Sequence, residues 1–88
     1  MSQNEKQLLR NYLTTNYKQY IDYINNSISY LNSTKENTLN LAINYNNING
    51  NGNNPVLAAY NMIDQILKYL NSVKECFKEL GINIENIE

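Results

Sequence analysis

The sequence predicts an all-α protein folded as an antiparallel helical hairpin, and three observations carry that expectation. The chain has 88 residues, enough for one domain spanning 1–88. A glycine- and asparagine-rich stretch, Asn49-Gly50-Asn51-Gly52-Asn53-Asn54-Pro55, divides it. Apolar residues recur at helical spacing on both sides of that stretch.

The first helix is expected over about 4–48. Leu9, Tyr20, Leu31 and Ala42 recur every eleven residues, as do Tyr17, Ile28 and Leu39, and Leu13 and Ile24. The interleaved set Asn11, Asp22, Ser33 and Asn44 stays polar. Eleven residues in three turns suits a nearly straight helix. A second line, Tyr12, Tyr23, Tyr30, Leu41 and Tyr45, makes the apolar stripe broader than one neighbouring helix needs. Ser33-Thr34-Lys35-Glu36 has the form of a capping box. If used, it breaks the helix near 32–34 and gives a three-helix bundle instead. The eleven-residue register passes through Ser33 without a slip, and no Gly or Pro is there to reverse the chain, which favours one long helix.

The turn is expected at 49–54, because glycine supplies positive φ and asparagine tolerates it. Asn54 reads as the N-cap and Pro55 as the first residue of a second helix over about 55–80. Val56, Ala59, Ile63, Ile66, Leu70, Val73, Phe77 and Leu80 define its seam, with Tyr60, Leu67 and Lys74 beside it. Asp64 and Lys68 form a favourable i,i+4 pair. Gly81 reads as a left-handed C′ residue with Ile82 touching Phe77, leaving 81–88 as a C-terminal tail.

Composition narrows the function. There is no histidine and one cysteine, Cys76. That removes histidine acid–base work, Ser-His-Asp and Cys-His nucleophiles, and His-containing zinc sites. Asp22 and Asp64 offer no convincing acid–base pair, and Glu75 and Glu79 sit among lysines as a solvated face. Cys76 is expected to pack partly buried. The Gly50-x-Gly52 loop lacks the third glycine of a dinucleotide site and the Gly-Lys-Ser/Thr of a P-loop. A non-enzyme without metal or cofactor is therefore expected.

The net charge of −1, with basic residues dispersed, argues against nucleic acid as a partner. No stretch approaches a membrane span. No signal peptide is visible, which implies a cytoplasmic protein or one exported without a cleaved leader. The 19 asparagines take the solvent-facing role that charge usually fills, and with Ile, Tyr and Lys they mark an AT-rich genome.

What remains is binding. Helix 1 would span ~65 Å and helix 2 ~40 Å, leaving about 25 Å of striped helix uncovered. Tyrosine suits interfaces, because it buries a large ring and keeps a polar tip. We expect an oligomer, or a complex with another protein, through Tyr12, Leu13, Tyr17, Tyr20, Tyr23, Ile24 and Tyr30. A small phage-type inhibitor or regulator that docks on an enzyme would use the same surface.

Asn53-Asn54-Pro55-Val56-Leu57-Ala58-Ala59-Tyr60, with Val73-Lys74 and Phe77-Lys78-Glu79-Leu80, resembles the turn and second helix of type III secretion needle subunits. The likeness is confined to that part of the chain. It implies a leaderless helical hairpin that polymerises.

Overall fold

The computed structural model describes residues 2–86. It contains two α-helices, α1 (Gln3–Asn49) and α2 (Pro55–Glu85), packed antiparallel. The hairpin is long and thin, 68 × 15 × 13 Å. α1 does not break at Ser33. The Thr34 hydroxyl donates to the Tyr30 carbonyl at 3.0 Å, a bond within a continuing helix, so the capping box is unused.

Both helix starts are capped as their local sequences require. Ser2 Oγ accepts from the Glu5 N–H at 3.1 Å. Asn54 Oδ1 accepts from the Val56 and Leu57 N–H groups. At the end of α1, Gly50 has φ +79°, and its N–H donates to the Asn46 carbonyl at 2.8 Å. Glycine takes this backbone conformation without the Cβ clash other residues meet.

The seam differs from the expected one in two ways. Shielded positions of α1 recur every seven residues: Arg10, Tyr17, Ile24, Leu31, Thr38 and Tyr45, and alternately Thr14, Ile21, Ile28, Lys35 and Ala42. A seven-residue repeat keeps a helix facing one partner, whereas an eleven-residue repeat drifts around it. The series Leu9, Tyr20, Leu31, Ala42 accordingly walks from the exposed flank into the seam.

In α2 the seam is Val56, Ile63, Leu70, Phe77 and Ile84 with Tyr60, Leu67, Lys74 and Gly81. The expected line through Ala59, Ile66, Val73 and Leu80 lies one residue away, beside the seam rather than in it. That line is the more apolar of the two, so hydrophobicity alone selects it. Packing selects the other line, because Gly81 admits a ring from α1.

Gly81 does not end α2, which runs on to Glu85. A Cβ at Gly81 would lie 2.7–2.8 Å from the Tyr17 ring, so the glycine is there for close approach. Ile82 is exposed, while Ile84 is buried. Residues 82–85 of the expected tail are thus helical; Ile87 and Glu88 lie outside the described residues.

The core is thin. Ala42, Leu67 and Ile84 are the buried apolar residues among those described, and Asn54 is buried with them.

Candidate interaction surface

A seven-residue repeat gives each helix two flanks beside its seam, and antiparallel packing puts matching flanks on the same broad side of the hairpin. One side gathers Leu9, Leu13, Tyr20, Tyr23, Tyr30 and Leu41 of α1 with Met62, Ile66, Tyr69, Val73 and Leu80 of α2. Two observations fix this grouping. The Tyr20 ring meets Phe77 at 5.7 Å with a 44° tilt. A groove is lined by Tyr12, Leu13, Asn16, Tyr17, Tyr20, Phe77 and Leu80.

The other side is charged. It carries Lys18, Asp22 and Glu36 of α1 with Asp64, Lys68, Glu75, Lys78 and Glu85 of α2. Lys35 leans to this side from the seam. Its ammonium donates to Asp64 Oδ1 at 2.6 Å and stands 5.4 Å from the Tyr60 ring centroid. Lys68 reaches the second Asp64 oxygen at 3.3 Å, and Lys78 pairs with Glu75. The hydrogen bond to Asp64 raises the Lys35 pKa above its ordinary value. The bonds from Lys35 and then Lys68 hold Asp64 below the usual carboxylate range. A shallow groove here is lined by Asn32, Lys35, Glu36, Leu39 and Tyr60.

No charged residue lies on the first side between Leu9 and Asn83. Its large residues are open to solvent: Tyr30 is 72% exposed, Tyr69 70% and Ile66 47%. Three of its small polar residues already have partners. Ser27 Oγ donates to the Tyr23 carbonyl, Thr34 Oγ1 to the Tyr30 carbonyl, and Asn16 Nδ2 to the Tyr12 carbonyl. The Tyr23 hydroxyl accepts from Gln19 Nε2 at 2.6 Å.

Leu13, Tyr20, Tyr23 and Tyr30 all lie on the uncharged side. Tyr12 is exposed and borders its groove. Tyr17 and Ile24 are half-buried in the seam and serve the hairpin itself. The contribution of α2, above all Met62, Ile66, Tyr69 and Leu80, is missing from the expected set. Its signal was present in the sequence: α2, like α1, carries more apolar lines than one neighbour can cover. Cys76 is exposed on the same side, not partly buried, because its position lies outside the seam.

Among the described residues, no group of three or more Cys, Asp or Glu comes close enough to hold a metal ion. Among those residues, no helix is long and apolar enough to cross a membrane. No family model, characterised protein or solved structure matches the chain.

Proposed function

We infer that the chain is a non-enzymatic protein–protein interaction module that works through its uncharged broad side. The observation that carries this reading is the uneven division of the surface: one side has no charged residue between Leu9 and Asn83 and carries most of the exposed Tyr, Ile, Leu and Met, while the other carries charges alongside the exposed Leu8, Leu39, Ile43, Leu57 and Ile82. Exposed apolar residues gathered on one side of a domain are the usual mark of an interaction site. Tyrosine and methionine are also enriched at interfaces, where charged residues are depleted.

A benzophenone side chain placed at position 69, or at position 75 on the charged side, tests the reading in the native cell. Irradiation should give protein adducts from position 69 and few from 75. Equal labelling from both positions overturns it. The identity of the adduct separates self-association from docking on an enzyme as an inhibitor or regulator.

A second reading has one observation in its favour. Leu8 and Leu9 near one tip, and Ile43 and Ile48 near the other, are exposed. Apolar tips on a long hairpin suit end-to-end growth, the behaviour of exported subunits that polymerise. Sedimentation would then show assemblies that grow with concentration. A fixed size excludes this reading.

A further inference from the structure

We propose that the occupant of the uncharged side is a second copy of this chain, packed broad side to broad side with the two turns at opposite ends. The proposal rests on the reading of that side as a binding surface, and three further observations point to the second copy.

The first is area. The folded chain exposes 6624 Å². A monomer of 10.2 kDa is expected to expose about 5300 Å², so the hairpin carries roughly 1300 Å² of excess surface. A stable interface of ordinary size takes about 800 Å² from each partner. The excess is large enough to form such an interface.

The second is chemistry. A second copy brings the same uncharged side to the contact, so no like charges meet and no ion is buried unpaired. The Ser27 and Thr34 hydroxyls are already bonded to their own backbone. They can be covered without leaving a donor unsatisfied.

The third is geometry. α1 has 47 residues and α2 has 31, a length difference of about 24 Å. The contacts Tyr17–Gly81 and Lys35–Asp64 set the middle of α1 close to level with the middle of α2. One two-fold axis across the hairpin therefore serves both helices. It pairs α1 with α1 and α2 with α2, long with long and short with short. The exposed Leu9 end of one copy then meets the exposed Ile48 end of the other. The alternative, with both turns at the same end, sets each long helix against a short one and leaves those ends uncovered.

The test uses the purified full chain. Light scattering should give twice 10.2 kDa from about 1 to 100 μM. Ile66→Glu should give the single-chain mass, while Ser29→Glu on the charged side should leave the doubled mass. Because Ile66→Glu could also unfold a thin core, a cross-link provides the second measurement. In a Cys76→Ser background, Leu9→Cys with Ile48→Cys should form an interchain disulfide under mild oxidation, and Leu9→Cys alone should not. A folded wild type at single-chain mass throughout overturns the second copy; side-specific adducts from position 69 would still stand and would belong to a different protein. Dimer loss from Ser29→Glu equal to that from Ile66→Glu overturns the assignment of the side. A dimer without the 9–48 cross-link overturns the arrangement of the turns.

Discussion

Asn54 uses its whole hydrogen-bonding capacity. Its Oδ1 accepts from two backbone N–H groups at the start of α2, and its Nδ2 donates to the Ala42 carbonyl at 3.0 Å and to Asn46 Oδ1 at 2.9 Å. An asparagine amide has two donors and two acceptor lone pairs, so nothing is left over. The residue both starts α2 and ties it to α1. Asn54→Ala should therefore cost more than the ~1 kcal/mol of an ordinary lost cap, because two donations to α1 vanish as well. Asn54→Asp is the sharper variant. Aspartate caps a helix as well as asparagine does in isolation, but here it would set a carboxylate oxygen against two acceptors. Chemical denaturation at neutral pH should find Asn54→Asp at least as damaging as Asn54→Ala; a near-neutral aspartate would show that the bonds to α1 carry no weight. The Lys35–Asp64 pair makes a different prediction. Asp64 has a lowered pKa, so its contribution is present above the ordinary carboxylate value, about 3.9, and is lost as pH falls through the lower folded value. Lys35 has a raised pKa, so its contribution is complete below about 10.4 and is lost as pH rises through the higher folded value. The stability difference between wild type and Asp64→Asn should thus be level across neutral pH and shrink at both extremes. A difference that varies between pH ~5 and ~9 would contradict the assignment.

At the scale of the helices, the sequence made visible whatever depended on neighbours a few residues apart. The turn, the Asn54 cap, Pro55 at the start of α2 and the Asp64–Lys68 pair are all local chemistry, and each is where the sequence places it. Gly81 is the instructive failure. Beside Ile82 it has every local mark of a helix end, yet it serves Tyr17, a residue far away in the chain. The line through Ala59, Ile66, Val73 and Leu80 was misplaced for a related reason. Hydrophobicity says that a line is apolar, but not which of two adjacent lines the partner helix will take. The same limit split the candidate site. Residue type found the tyrosines, while only packing shows that Tyr17 and Ile24 belong to the seam and that Ile66 and Tyr69 belong outside. A double-mutant cycle measures the Gly81 contact directly. Gly81→Ala gains about 1 kcal/mol of helix propensity, against a ring displacement that costs about 1–3 kcal/mol. With Tyr17 in place the substitution should be neutral to destabilising. In a Tyr17→Ala background only the gain remains, and Gly81→Ala should stabilise. Equal effects in the two backgrounds would mean that the ring moves aside freely.

For the whole molecule, the decisive quantity is how little two helices of this shape can bury. By mass the unfolded chain would expose about 14,800 Å², so folding as a single hairpin hides about 55% of it, where a typical monomer of this size hides about 64%. Asparagine makes the deficit worse for α1, since it is a mediocre helix former and the long helix must rely on packing. The second copy proposed above would supply the missing burial on the side where the sequence has withheld charge. Stability would then be linked to concentration, because dissociation accompanies unfolding. The melting temperature of the wild type should rise as the protein is concentrated, and that dependence should vanish in Tyr69→Glu. Salt gives a separate handle on the same question. An interface without charges should respond weakly to ionic strength, whereas one built on the Asp64 and Glu75 side would weaken as salt screens its pairs. A melting temperature independent of concentration, or one that falls steeply with salt, would place the molecule's missing contacts somewhere other than its uncharged side.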